Sequence, residues 1–349
     1  MKIEDHKNPM TLEMSVREEP KSKKILCTFR QVGAGKPPWV TESAVVKSKI
    51  EETWVSGRGE IEKLLNDFNT ETPLKDLRIK LDGETRRVGF KLAEMIFKHR
   101  IHNKLLNILE SVDVLSILEF SGLSIPWEML LLAPKHVKDI KASRFICNLV
   151  YVTRIISNFD VDTIPNDLLW GWNQLNINKH LSITHKDIRD EDKYNFPEDF
   201  GLLNFRLFET NNEIQDATVD KELICIVAHG CDDTGGAIMA LKDVPYSKEH
   251  VKFIPFPFGC FILLFSCRSH ATGLASALAY HSENVVLGAS TNIVTKETLR
   301  LVQRLGKRFV GCNMMPLVDF FKNWDEEDRL LRRLLAMHGS WKVILHNDS

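Results

Sequence analysis

Leu223-Ile-Cys-Ile-Val-Ala-His229-Gly230 and Phe261-Ile-Leu-Leu-Phe-Ser-Cys267-Arg268 are the two runs that decide how this chain folds. Each is an apolar stretch of strand length that stops at one reactive side chain. Unbroken apolar runs of this kind belong to strands buried on both faces, as in a parallel sheet. In an open α/β sheet, residues just past the carboxyl ends of parallel strands line the crevice where ligands bind. A histidine and a cysteine side by side there are a base and a nucleophile.

Outward from these runs, the pattern continues as a loop over Gly230–Gly236, a helix over Ala271–His281, a strand over Asn284–Ala289 and a helix over Thr295–Phe309. Strands alternating with helices predict an α/β fold with a mostly parallel sheet and right-handed crossovers. Further on, Glu326–Met337 reads as an amphipathic helix and Trp341–Leu345 as an edge strand. Upstream, Lys24–Val32 alternates as a strand does. Val88, Leu92, Met95, Ile96, Leu105, Ile108 and Leu109 recur at helical spacing, interrupted near His99–Asn103. That interruption puts His99 and His102 at a helix end. Val112–Phe120 is a buried strand, and Pro126 suits the first turn of a helix whose positive end favours Glu128. Arg144–Ile156 is β-rich. From Ser157 to Asp220 the periodicity is weak, with Trp170, Trp172 and the charged segment His185–Lys193. This predicts a long connection with short helices, including a substrate or partner surface. The expected divisions are a polar tail over 1–22, an N-terminal portion over 23–160, an irregular connection over 161–220 and a catalytic portion over 221–349.

Composition excludes several classes. The chain of 349 residues is 44% apolar, ordinary for a globular protein, and its 46 basic and 47 acidic residues leave a net charge of −1. No nucleic-acid or anionic-membrane binding follows from that balance. Met1–Pro20 has no apolar core of a secretory signal, and the longest apolar stretch, Phe253–Phe265, is too short to span a bilayer. The seven cysteines form an odd set without CxxC spacing, which points to reduced thiols in a cytoplasmic protein. Cys225, His229 and Cys231 match no common zinc spacing, so no metal is expected. Gly33-Ala-Gly-Lys36 is not a phosphate loop: Arg30 stands where the first glycine is required, and Pro37 replaces the Ser or Thr that would hold magnesium. No cofactor is expected either.

Cysteine attacks as the thiolate, and at an ordinary pKa near 8.5 little of it is ionised at neutral pH. Placement of Cys267 where a strand turns into a helix would favour the anion. His229 would take the thiol proton and return it to the leaving amine. The N–H groups of Gly230 and Cys267 are the candidate donors to the oxyanion, each worth roughly 3–4 kcal/mol in the transition state. Either residue alone would more often be structural, since free cysteines are usually buried and strand-end histidines merely satisfied. It is their pairing at consecutive strand ends that points to acyl transfer.

The order of elements resembles the CHAT family of caspase-like cysteine peptidases, relatives of caspases and separase. The matching residues are the helix Val88–Ile96, the strand Val112–Phe120, Ile125-Pro-Trp-Glu-Met-Leu130, His229-Gly230, Ser266-Cys267, the strand Val285–Ser290 and His338-Gly-Ser-Trp341. They cover roughly Lys24–Leu345. The resemblance implies a caspase-like sheet flanked by helices, with an N-terminal portion that is not catalytic. It implies His229 as general base and acid, Cys267 as nucleophile, and Pro126-Trp127-Glu128 as a fold-holding element in which Trp127 packs and Glu128 caps or pairs. Family members usually carry alanine before the cysteine and often glutamate and serine after it; here Ser266, Arg268 and Ser269 stand there. Clan relatives that cut after basic residues carry an acidic residue where Phe265 lies, so a small or apolar residue before the scissile bond is expected. Phe265, Ala289 and Ser290 are the candidate pocket residues.

Stand-alone members of the family resemble proteases of bacterial antiphage systems. The resemblance thus implies a protein substrate, encoded nearby and gasdermin-like or another defence protein. It also implies an activator protein or nucleotide signal that orders the Gly230–Gly236 and Ser290–Thr295 loops. Three rival readings differ in class. A non-catalytic scaffold of the same fold would not require both His229 and Cys267. A cysteine amidase or acyltransferase would carry Gly-x-Cys-x-Gly, which Phe265-Ser-Cys-Arg-Ser269 lacks. A dinucleotide-binding protein would need a Gly-x-Gly-x-x-Gly fingerprint, and Asp233-Thr-Gly-Gly236 is an ordinary loop.

Overall fold

A computed structural model describes residues 9–66, 74–133, 143–156, 172–190, 196–208, 211–231, 238–241, 244–246, 256–257, 259–270, 273–281, 284–322, 324 and 326–347. The chain forms two compact units, one from Met1–Pro165 with Phe321–Ala336, the other from Asn166–Phe320 with Met337–Ser349.

In the first unit the strands are β1 (Thr11–Glu18), β2 (Lys24–Gln31), β3 (Trp39–Val46), β4 (Val114–Glu119), the short pair β5 (Leu131–Leu132) and β6 (Arg144–Phe145), and β7 (Tyr151–Ile156). Their sheet runs β7-β4-β1-β2-β3, with β1, β4 and β7 parallel and β2 and β3 antiparallel. The expected polar tail over 1–22 is therefore corrected: its second half is β1. Leu12, Met14 and Val16 alternate with polar residues and are fully buried, a period-2 pattern masked by the charged residues between them. Helix α1 (Lys47–Asn66) buries one face through Ile50, Trp54, Ile61 and Leu65. Helix α2 (Leu74–Leu109) breaks at Lys98, whose φ is 52°, as the interrupted periodicity predicted. Buried His102 sits beside that break, its Nδ1 accepting the Ala133 N–H at 3.3 Å and its Nε2 3.4 Å from the Ala93 carbonyl. It braces a kink rather than capping an end. At Gly89 a side chain would meet the Met129 carbonyl at 2.1 Å, so only glycine lets α2 lie this close to the Trp127–Met129 turn.

That turn is a single 3₁₀ turn, not the start of a longer helix. Trp127 is fully buried, with its ring 6.3 Å from Phe97. Glu128 does not serve a helix end: both its oxygens accept from the Arg154 guanidinium, the Nη1 contact at 2.5 Å, and both residues are buried. Such a fork–fork pair in a dry interior is strongly destabilising when one partner is removed.

The second unit holds β8 (Asn173–Asn176), β9 (His180–Thr184), β10 (Phe205–Arg206), β11 (Leu223–Val227), β12 (His229–Cys231), β13 (Ile238–Leu241), β14 (Val244–Tyr246), β15 (Phe261–Phe265), β16 (Val285–Ala289) and β17 (Met315–Pro316). The chain returns to it within β18 (Leu335–His338) and ends in β19 (Val343–His346). Its main sheet runs β10-β9-β11-β15-β16, every neighbouring pair parallel. β11, β15 and β16 are buried along their whole length. Helices Leu274–His281 and Thr295–Val310 follow β15 and β16. This is the predicted α/β architecture of mostly parallel strands and helices.

Three expectations need correction. The connection over 161–220 is not irregular throughout: it contains β8 and β9, and β9 pairs β11 over its full length. The amphipathic helix over Glu326–Met337 stops at Arg332, where the chain turns into the buried strand β18. Trp341–Leu345 gives β19, which lies between β17 and β8 in a three-stranded sheet and so is central rather than an edge. Within that unit Trp172 packs edge-on against Trp341 at 5.9 Å, as an anchor; Trp170 lies outside the described residues.

Candidate active site

His229 and Cys267 each lie two residues past the end of one of two adjacent parallel strands. Val227 of β11 pairs with Phe265 of β15, and the Ala228 N–H continues that ladder to the Phe265 carbonyl at 3.2 Å. Beyond this last pair both chains leave the ladder, β11 toward β12 and β15 into a turn. At His229 the chain leaves the main sheet for β12, which pairs antiparallel with β13 and sets Gly230 opposite Met239. The expected Gly230–Gly236 loop thus starts as strand; its residues 232–237 lie outside the described set.

Exposure separates Cys267 from five of the other cysteines. Cys27, Cys147, Cys225, Cys260 and Cys312 are buried, and Cys267 is the one of these six that is not. Burial drives those other thiols away from ionisation: Cys147 and Cys312 are pushed up to about 11 and Cys260 to about 12, while Cys27 and Cys225 are raised further. A buried thiol that does not ionise is inert, so among these six the partly exposed Cys267 is the one placed for nucleophilic chemistry. Its Sγ lies 4.0 Å from the Ile293 carbonyl oxygen.

The turn carrying Cys267 is clamped from below. Ser269 is fully buried; its hydroxyl accepts the Ala289 N–H at 2.8 Å and donates to the Leu264 carbonyl at 3.4 Å. The Arg268 N–H reaches the Thr291 carbonyl at 2.9 Å and the His270 N–H the Ala289 carbonyl at 2.8 Å. Arg268 adopts φ 57°, a left-handed conformation that a non-glycine residue takes at some cost and that is common where a site holds its backbone. Gly288 makes room for this turn: a side chain there would lie 3.1 Å from Ser269 Oγ and 2.6 Å from Ala275 Cβ. The expected strand-to-helix placement of Cys267 is corrected here. The following helix begins only at Leu274, and its Ala275 N–H is taken by the Ser269 carbonyl, so its positive end serves the turn's backbone.

Of the candidate pocket residues, Phe265 is 1% exposed and Ala289 and Ser290 are 0% exposed, so none of the three presents an open wall. Two residues that the sequence reading passed over stand beside His229. His185 follows β9, its N–H donating to the Val227 carbonyl at 3.2 Å, and its ring meets that of His229 edge-on at 5.4 Å. Asp187, in the next helix (Lys186–Asp190), donates its N–H to His185 Nδ1 at 3.3 Å and holds a carboxylate oxygen 3.6 Å from it. A weaker signal was present: His180-Leu-Ser-Ile-Thr-His185 alternates apolar and polar residues as a strand does and ends in histidine.

No protein-family model matches this chain, and no curated protein sequence matches it significantly. Its fold does find matches. Chains in two crystal structures of the Saccharomyces cerevisiae separase–securin complex align with TM-scores of 0.58 and 0.62, at 11% and 12% identity. The alignments cover 96% and 97% of this chain but 30% of each matched chain. The chain thus has the caspase-like α/β fold of separase, over about 30% of that protein's length. Among the described residues no helix is long and apolar enough to cross a membrane.

Proposed function

We propose that this protein is a cysteine endopeptidase in which Cys267 attacks the scissile carbonyl and His229 carries the proton. The observation that carries this reading is that Cys267, partly exposed where Cys27, Cys147, Cys225, Cys260 and Cys312 are buried, and His229 each lie two residues past the end of one of two adjacent parallel strands. His229 takes the thiol proton, the thiolate forms the thioester through a tetrahedral oxyanion, and His229 returns the proton to the leaving amine before water completes hydrolysis. The backbone N–H groups of Gly230 and Cys267 are the proposed oxyanion donors.

The substrate in this reading is a specific protein partner. Separase is seen in complex with securin; in this reading the present chain likewise answers to a partner, a protein or nucleotide that restrains or activates it. The first unit serves as the non-catalytic portion. The CHAT-like element order favours a stand-alone protease of a bacterial antiphage system, working in a reducing cytoplasm on a gasdermin-like or other defence protein.

The test is intact-mass proteomics of cells co-expressing the chain with its genomic neighbours, wild type beside Cys267→Ala and His229→Ala. A neighbour cut by the wild type alone is the expected result, and the cut identifies the preceding residue. If no neighbour is cut and a peptidyl electrophile leaves Cys267 unlabelled with all neighbours present, the peptidase reading fails in favour of a caspase-fold scaffold.

A further inference from the structure

The chain leaves β9 toward β10 on one side of the sheet, and leaves β11 toward β15 on the other. Where neighbouring parallel strands send their connections apart, a crevice opens at their carboxyl ends, the usual ligand site of an open α/β sheet. His185 directly follows β9 and His229 lies two residues past β11, and their rings meet edge-on at 5.4 Å. Asp187 adds a carboxylate. One ligand atom from each of His185, Asp187 and His229 lies within 4.8 Å of the other two.

We propose that these three residues form a binding site for a divalent cation of the zinc class, and that a cation seated there disables His229 as a base. Metal–ligand lengths of about 2.0–2.2 Å place tetrahedral ligand atoms roughly 3.3–3.5 Å apart. The His185 Nδ1 and Asp187 Oδ2 pair already stands at 3.6 Å. Closing the rest takes about an ångström, within reach of side-chain rotation. His185 is placed firmly for this: its carbonyl accepts the Ile188 N–H at 3.1 Å and its own N–H is tied to β11. Its Nδ1 accepts the Asp187 N–H at 3.3 Å, a contact that a metal ion bound there would replace. Two imidazoles and one carboxylate suit Zn²⁺, Co²⁺ or Ni²⁺ and disfavour Mg²⁺ and Ca²⁺, which take oxygen ligands. Water fills the remaining positions.

The regulatory half rests on the peptidase reading; the cation site does not. A metal ion takes the same imidazole lone pair that would accept the Cys267 proton, so the two events exclude each other. Zinc-class ions would hold the enzyme silent, and their loss would release it.

The experiment uses the full chain, stripped of metal with EDTA. Co²⁺ alone is titrated in, with visible absorption reporting ligand-field bands and Zn²⁺ added to displace it. One equivalent should bind, and His185→Ala and Asp187→Asn should each weaken binding roughly tenfold or more. Asp187 is 58% exposed in its side chain, so its substitution is not expected to disturb folding. Absence of bands, or unchanged affinity in both variants, overturns the site. A second readout is labelling of Cys267 by a peptidyl electrophile. Zn²⁺ should slow it in the wild type, EDTA should restore it, and Asp187→Asn should need more Zn²⁺ in proportion to its weaker Co²⁺ binding. Equal Zn²⁺ sensitivity in the two proteins would mean the ion meets the thiol directly and would overturn the regulatory half. Co²⁺ binding that depends on His185 and Asp187, with Cys267 unlabelled at any metal level, would uphold the cation site and overturn the peptidase reading.

Discussion

Glu119 closes β4 with its carboxyl buried, and loss of water pushes its pKa up to about 7 despite hydrogen bonds from the Ser121 N–H and hydroxyl. The folded value thus lies above the ordinary 4.5, so the native state binds the extra proton between those limits. Stability from this group is fully present below pH 4.5 and is lost as pH rises through about 7. At ~1.4 kcal/mol per unit the whole swing is about 3 kcal/mol. Glu119→Gln should flatten that slope: urea melts at pH 5 and pH 8 should differ less for the variant than for the wild type. Parallel losses in both proteins would show that another group titrates. Nothing in the sequence marked Glu119, because its environment is made by the fold and not by its neighbours in the chain. His229 and Cys267 were legible because each ends a long apolar run. His185 was less legible, since β9 interleaves Leu181 and Ile183 with polar residues and charged residues follow it directly.

Among the elements, the turn Ser266–His270 depends on one buried hydroxyl. Ser269→Ala would leave the Ala289 N–H without its 2.8 Å acceptor in a dry environment, at a cost of roughly 1–3 kcal/mol. Thermal unfolding should register that loss. Labelling of Cys267 should slow as well, because the same hydroxyl fixes the turn that presents the sulfur. Unchanged melting and unchanged labelling would mean that the clamp is redundant. Sequence pattern found the elements with strong periodicity: β11, β15 and β16 from unbroken apolar runs, and α2 with its break at Lys98 from interrupted spacing. It missed β1, whose buried Leu12, Met14 and Val16 are interleaved with charge, and it ran the last helix on into β18. In that second case Leu334–Met337 continues a helical spacing locally, and only pairing within the sheet makes it extended. The Pro126-Trp127-Glu128 element was rightly read as structural, while its partner Arg154, far along the chain, was invisible.

At the scale of the molecule, the first unit is discontinuous, and residues 321–336 complete it. Phe321 packs 6.3 Å from Tyr151 and 5.6 Å from Trp324, all three buried. Arg333 lies 3.8 Å over the Phe145 ring and pairs with Asp82 at 2.5 Å, and the Arg332 guanidinium donates to the Val150 carbonyl at 3.1 Å. Residues 1–165 expressed alone should therefore lack a cooperative melt and bind a hydrophobic dye, whereas the full chain should not. A sharp, dye-free transition in the fragment would refute this. The expected divisions at 23–160 and 221–349 could not reveal the return, because no local signal says which distant surface a segment covers. The second unit also waits for residues beyond 336, through β19 between β17 and β8. On a ribosome adding ~5–20 residues per second, roughly 8 to 30 s separate the synthesis of residue 165 from that of residue 321. For that interval the nascent chain carries apolar strands of both units without the segments that complete them, so slower translation should lengthen its dependence on chaperones.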